Sequence, residues 1–256
     1  AEIEAIASTD GQTIIVATNS RNYSTSNDGG QTFTQGSITN LGGDVAYDAN
    51  GDPSLAYGWS GDFYFAFIAY PQGGAGAGDS PAGCTTGVTA STDNGLNFSH
   101  RGHARFCPAN DPDGEGPLRT CFPDQEHIAA DSWNPSGSAE DQVYSAWRDF
   151  TPGNNVACRG FGSGSVQSQI VCSTDSGVTW GNNRNLNGDF ARVAVGQDGF
   201  VYAVTRVGGD PADIEIAKFS SCDTGLVLQD DFPATVYSNS NSIDCPVPGL
   251  DRCNDG

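Results

Sequence analysis

Short apolar segments alternate with turns rich in Asp, Asn and Gly along the whole chain. An apolar segment, an Asp/Gly turn and an aromatic segment follow one another in residues 45–67, 127–147 and 191–204. Further β-prone segments occupy residues 13–17, 87–90, 169–172 and 214–217. Short segments of this composition, bounded by turn residues, predict strands. The pattern therefore predicts an all-β fold with three or four antiparallel strands in each repeating unit.

One octapeptide closes each unit. It begins Ser-x-Asp-x-Gly-x, its seventh residue is Thr, Asn or Val, and its eighth residue is aromatic or Leu. Its copies occupy residues 26–33, 91–98 and 173–180, with a degraded fourth at 221–228. Their aspartates are Asp28, Asp93, Asp175 and Asp223. An Asp carboxylate accepts hydrogen bonds from the N–H groups after it, and Gly permits a positive φ, so each copy predicts a hairpin turn.

The repeat divides a single domain, residues 1–256, into about four blades of antiparallel strands. Their predicted limits are roughly residues 1–40, 41–105, 120–186 and 187–235. Residues 236–256 are then a tail or the start of a further blade. Blades of this kind build a β-propeller, or a fragment of one.

The octapeptide resembles the Asp box, the bacterial neuraminidase repeat of sialidase-like β-propellers. Residues 123–131 and 143–149 are also similar to secreted bacterial members of that superfamily. The resemblance implies an Asp-box β-propeller fold. Sialidases bind the substrate carboxylate with three arginines, and Arg148, Arg192 and Arg206 could converge here. The alternative is that each pairs with a neighbouring carboxylate, as Arg148 could with Asp149. Because no Arg-Ile-Pro motif opens the chain, no sialidase catalytic residue is transferred to it.

Charge narrows the range of partners. The chain carries 11 Lys and Arg against 31 Asp and Glu, a net charge of −20. Nucleic acids and anionic membranes both require a cationic face, so neither is an expected partner. No apolar run approaches the length that spans a bilayer. The acidic composition favours cationic partners, metal ions above all.

Eight cysteines without a Cys-x-x-Cys motif predict disulfides and an oxidising compartment. The chain also lacks methionine, even at position 1. We therefore expect a secreted or cell-surface protein whose signal peptide has been removed. Short separations along the chain suggest the pairs Cys107–Cys121 and Cys158–Cys172, although other connectivities stay open.

Two groups of oxygen ligands and one group of histidines are candidate metal sites. Asp111, Asp113 and Glu115 alternate in a Gly/Pro loop, which suits Ca²⁺. A second group of oxygen ligands is either a calcium site or a plain turn; it comprises Asp48, Asn50 and Asp52. The histidines could hold Zn²⁺ or Cu²⁺; they are His100, His103 and His127.

In a propeller the first strand of each blade lines the central channel, and the loops that lead into it form the binding face. This rule predicts a ligand-binding site of Asp44, Trp59, Asp124, Glu126, His127, Trp133 and Arg192. Asp124, Glu126 and Arg148 are the catalytic candidates, since two carboxylates across a cleft can hydrolyse a glycosidic bond. The alternative is that the carboxylates cap strand ends and the aromatic rings belong to the core.

The leading hypothesis is a secreted, calcium-binding, disulfide-stabilised module without enzymatic activity. It would bind a glycan or an extracellular protein, or associate with itself through unpaired sheet edges. The first alternative is a glycoside hydrolase of the sialidase-like class, such as an exo-sialidase. The second is a copper or zinc protein that uses the three histidines. A converged arginine triad with a Tyr–Glu pair would favour the enzyme.

Overall fold

The computed structural model describes residues 2–38, 47–71, 85–106, 122–133, 137–150, 167–208 and 212–240. The strands are β1 Ile3–Ala7, β2 Ile14–Thr18, β3 Asn22–Ser26, β4 Thr34–Ser37, β5 Tyr47–Tyr57, β6 Phe63–Pro71, β7 Thr85–Ser91, β8 Ser99–Phe106, β9 Phe122–Ala130, β10 Val143–Phe150, β11 Gln167–Ser173, β12 Gly181–Leu186, β13 Asp189–Val195, β14 Val201–Val207, β15 Ala212–Phe219 and β16 Ala234–Ser240. In these ranges the only helical element is a 3₁₀ turn, Cys222–Thr224. No helix there has the length and apolar character to cross a membrane.

The strands form four antiparallel sheets of four strands each, and chain order equals spatial order in every sheet. The sheets are β1–β4, β5–β8, β9–β12 and β13–β16. The prediction of an all-β fold built from repeated antiparallel sheets is confirmed. The last strand, β16, runs to Ser240 and so passes residue 235, where the sequence pattern ends the fourth unit.

The first strands of successive sheets contact one another in the order β1, β5, β9 and β13. β5 and β9 run in the same direction, because Gln125 bonds to Asp52 and Ile128 bonds to Ser54 further along. β13 follows β9 in the same way, through Arg192 to Gln125 and Val193 to His127. The first sheet has the same orientation, because Thr25 at the end of β3 bonds to Gly95 in the octapeptide of the second sheet. The N-terminal ends of these inner strands therefore gather at one end of the axis, here called the leading end. Their C-terminal ends and the octapeptide turns gather at the opposite end, the turn end.

Apolar side chains fill the spaces between successive sheets, because a strand in a stacked sheet buries both of its faces. In β6, Phe63 and Phe65 pack in one cluster with Ile15 of the first sheet. The alternate residue Tyr64 packs with Trp147 of the third sheet. All five side chains are almost fully buried. This two-sided burial explains why β6 is a nearly continuous run of aromatic and aliphatic residues.

Three of the four octapeptides fold into the same turn. In the first, Ser26 Oγ donates to Asp28 Oδ1 at 2.7 Å, and the Thr32 N–H donates to the same oxygen at 2.9 Å. The bonds from Thr32 and Ser26 lower the pKa of Asp28 to about 2. The second and third copies repeat these contacts with Ser91, Asp93 and Asn97, and with Ser173, Asp175 and Thr179. The degraded fourth copy differs, since Asp223 instead accepts a bond from Gln142 of the neighbouring sheet at 2.6 Å.

A disulfide links the third and fourth sheets. It joins Cys172 of β11 to Cys222 of the 3₁₀ turn. The predicted pair Cys158–Cys172 is therefore wrong. Separation along the chain misled the prediction, because the nearest sulfur to Cys172 belongs to the next sheet, 50 residues away. Cys158, like the predicted pair Cys107–Cys121, lies outside the described residues.

Replacing both Cys172 and Cys222 by Ala will lower the free energy of unfolding by roughly 4 kcal/mol. The reason is that the bond closes a loop of 50 residues, which restricts the unfolded chain. Urea unfolding followed by tryptophan fluorescence measures the change. A loss below about 1 kcal/mol would contradict this role for the bond.

Candidate functional site

The leading end of the axis collects carboxyl groups from all four inner strands. They are Glu4 of β1, Asp52 of β5, Asp124 and Glu126 of β9, and Asp189 of β13. Backbone irregularities help to bring two of these strands together: Asp52 and Gln125 both have left-handed φ angles, of 47° and 54°. The Gln125 N–H donates to Asp52 Oδ2 at 3.0 Å. Glu4 interacts with the same β5 segment, through Ser54 and the backbone of Leu55.

The carboxyl groups of Asp52 and Asp124 are hydrogen-bonded to each other. Burial, followed by this bond and the charge of Asp52, raises the pKa of Asp124 to about 7. Two carboxyl groups in such contact repel each other when both are ionised, which favours the protonated form of Asp124. Asp124 is therefore a candidate proton donor in the range around neutral pH.

Glu126 is a third carboxyl group beside this pair, and it is only 4% exposed. Burial raises its pKa well above the ordinary value, and the charges of Asp52 and Asp124 raise it further. Neither of its carboxyl oxygens has a hydrogen-bond partner among the described residues. The backbone of Glu126 itself and that of Ile68 lie near enough to lower this pKa in part, without a well-aligned hydrogen bond to either oxygen. Glu126 is thus a buried acid next to the pair, and its surroundings favour the uncharged form.

The arginines near the leading end are engaged by groups of the protein. Arg148 Nη1 lies 3.0 Å from Asp189 Oδ2, and its guanidinium lies 5.5 Å from the ring centre of Phe190. Arg192 Nη1 donates to the carbonyl oxygens of Gln125 at 3.4 Å and Ala191 at 3.0 Å. These contacts tie β13 to the third sheet and fix both guanidinium groups.

The other predicted ligand-binding residues do not join this group. Trp59 and Trp133 follow the C-terminal ends of β5 and β9, so they lie at the turn end, where the backbone N–H of Trp59 donates to the carbonyl oxygen of Asp131. His127 lies further along β9, and its Nδ1 accepts a bond from the Val193 N–H at 3.3 Å. Burial lowers the pKa of His127 to about 4. Asp44 lies outside the described residues.

The metal predictions have different outcomes. The first group, Asp111, Asp113 and Glu115, lies outside the described residues. In the second group, Asp48, Asn50 and Asp52, only Asp52 has a described side chain. That side chain contacts Asp124 at the axis. His100 and His103 are neighbours on β8, with ring centres 4.8 Å apart, whereas His127 is on an inner strand of another sheet. Across the described part of the chain, no three His, Cys, Asp or Glu side chains form a metal-binding group.

Comparisons with known proteins establish the fold. No protein-family model matches the chain, and no curated protein does. A solved protein of unknown function from Dyadobacter fermentans is 13% identical and gives a TM-score of 0.56, over 90% of this chain and 62% of its own. The GH93 α-L-arabinofuranosidase of Fusarium graminearum, solved with arabinobiose, is 13% identical with a TM-score of 0.53, over 92% and 64%. A Hadza microbial sialidase is 15% identical with a TM-score of 0.51, over 90% and 46%.

The chain therefore has the fold of a sialidase-like β-propeller or of a fragment of one. It spans less than two thirds of the length of each of these three proteins. At such low identities the likeness concerns the fold, so the chemistry of this chain has to be argued from its own residues.

Proposed function

We propose that this chain belongs to a glycoside hydrolase and that Asp124 is its general acid. The observation that carries the proposal is the half-buried contact between the Asp124 and Asp52 carboxyl groups at the leading end of a propeller axis, which raises the pKa of Asp124 to about 7. Support comes from the glycoside hydrolases that share the fold. This reverses the order of the sequence hypotheses, in which a non-enzymatic binding module came first.

In the proposed reaction, Asp124 gives its proton to the glycosidic oxygen while the bond from that oxygen to the anomeric carbon breaks. Water then adds to the anomeric carbon, and the proton that it loses passes to a carboxylate. Asp52 and Asp124 are too close to flank the bond as two separate groups, so they act as one acid. The second carboxylate has to come from another strand, and Glu4 and Asp189 are the described candidates.

We also propose that the protein is secreted and meets its glycan outside the cell. The Cys172–Cys222 disulfide supports this location, because such bonds persist in oxidising compartments. Calcium at Asp111, Asp113 and Glu115 stays a prediction. Dialysis of the native protein against a chelator, followed by metal analysis, would test it.

The pH dependence of hydrolysis tests the role of Asp124. We expect kcat/KM for a para-nitrophenyl glycoside to fall as the pH rises through about 7, because only protonated Asp124 can donate and its pKa is raised to that value. A matched control is Asp198→Asn, which changes an exposed Asp in the turn between β13 and β14. That variant should keep the same profile. Hydrolysis that increases through pH 7, or no cleavage of any glycoside, would contradict the proposal.

A further inference from the structure

We infer that the leading end accepts an uncharged glycan and excludes sugars that carry a carboxylate or a sulfate. The inference rests on the proposed function for the location of the site. It goes beyond that function by fixing the charge of the substrate. The argument depends on which charges at the leading end are already neutralised within the protein.

An anionic sugar needs a guanidinium or ammonium group that can turn its donors toward the ligand. Arg148 is held in an ion pair with Asp189 at 3.0 Å. Arg192 donates to two backbone carbonyl oxygens, and it also interacts electrostatically with Glu4. Arg206, which lies opposite Asp189 in the β13–β14 register, is not without a partner either. Each of these cations is therefore already engaged.

Carboxyl groups outnumber these cations at the leading end. Glu4, Asp52, Asp124, Glu126 and Asp189 come from the four inner strands. An added anion would be repelled by those that are ionised, and it would raise the pKa of the buried acids further. The net charge of −20 extends the repulsion over the whole molecule.

A neutral sugar avoids this repulsion and matches the hydrogen-bonding groups of the site. Its hydroxyl groups both donate and accept, so they suit carboxylates as well as protonated carboxylic acids. Glu126 is a separate observation that points to a ligand at the leading end. Both of its carboxyl oxygens are buried, and neither makes a well-aligned hydrogen bond with the described residues. The electrostatics thus favour a polyhydroxyl ligand without charge.

Paired substrates test the inference. Hydrolysis is measured with para-nitrophenyl glucoside, galactoside and arabinofuranoside, and with the corresponding aryl glucuronide, galacturonide and sialoside. In parallel, affinity electrophoresis compares gels that contain arabinan or galactan with gels that contain polygalacturonate or polysialic acid. We expect cleavage and retardation only with the neutral members, with a preference of at least about 100-fold in kcat/KM.

The two measurements separate the two proposals. Cleavage or retardation by an acidic member at a level comparable to the neutral ones overturns the inference while the hydrolase proposal stands. Retardation by neutral glycans without any cleavage overturns the hydrolase proposal and leaves the inference standing. Absence of both cleavage and retardation overturns both proposals.

A substitution at Asp189 adds a sharper test. Asp189→Asn removes the partner of Arg148, so we expect retardation by polygalacturonate or polysialic acid to increase about tenfold relative to retardation by the neutral glycans. Asp198→Asn removes an equal charge from the ion pair with Lys218 at the turn end, and it should leave this ratio unchanged. An equal ratio of acidic to neutral glycan binding in both variants would contradict the inference, because the ion pair with Asp189 would then not be what keeps Arg148 from binding an anion.

Discussion

Replacing Asp124 by Asn will lower kcat/KM for an unactivated oligosaccharide by about 10²–10⁴-fold. The amide has nearly the same shape as the protonated acid, but it cannot give a proton to the departing oxygen. A substrate with a dinitrophenyl leaving group needs little help from an acid, so its cleavage should fall far less. Comparing the two substrates separates loss of proton donation from loss of binding.

The control for this experiment is again Asp198→Asn, which should leave both substrates unaffected. An equal loss for the activated and the unactivated substrate would contradict the assignment of Asp124 as the acid. Unfolding curves for both variants establish that the propeller is intact.

Replacing Asp141 by Ala will lower the free energy of unfolding by about 3–5 kcal/mol. The Asp141 carboxylate is completely buried at the turn end, between the second and third sheets. It accepts bonds from the Ser60 N–H at 3.0 Å, from Ser60 Oγ at 2.6 Å and from the Tyr64 hydroxyl at 2.8 Å. Truncation leaves the fully buried Tyr64 hydroxyl without its Asp141 acceptor and also removes both bonds from the exposed Ser60, which together cost far more than the loss of a surface contact. Urea unfolding measures the change.

The matched control for this substitution is Asp230→Ala, which removes the same side chain from an exposed position and should change stability by less than about 0.5 kcal/mol. Gly58 supplies a second check, because a Cβ at this position would collide with the Asp141 carboxylate. Gly58→Ala should therefore be destabilising by itself and less so in combination with Asp141→Ala. Additive effects of the two changes would contradict the contact.

The repeated sheets could be predicted from the sequence because their signals are local. The Asp-x-Gly turns and the alternating apolar positions each act within a few residues, and the predicted all-β fold follows from them. Asp124 and Glu126 could be placed near the axis for the same reason, since they come at the start of an inner strand.

Features that depend on contacts between sheets could not be predicted in this way. The Asn50-Gly51-Asp52 run has the composition of a turn, yet it lies within β5, where register shifts accommodate it and bring Asp52 to Asp124. The predicted site also combined Trp59 and Trp133 with Asp124. The sequence pattern marks residues next to an inner strand, but it does not show whether they lie before or after that strand. The Cys172–Cys222 pair depends on the packing of two sheets, which chain separation does not report.

The ionisation of Asp124 tests the central claim most directly. Carbon-13 NMR of the native chain labelled at Asp carboxyl carbons follows each carboxyl group against pH, and the Asp124→Asn variant identifies the signal. We predict a midpoint near 7, the value to which burial and Asp52 raise the pKa of Asp124. A midpoint near 4, as for an ordinary exposed aspartate, would contradict the account, because Asp124 would then be ionised at neutral pH and could not donate a proton.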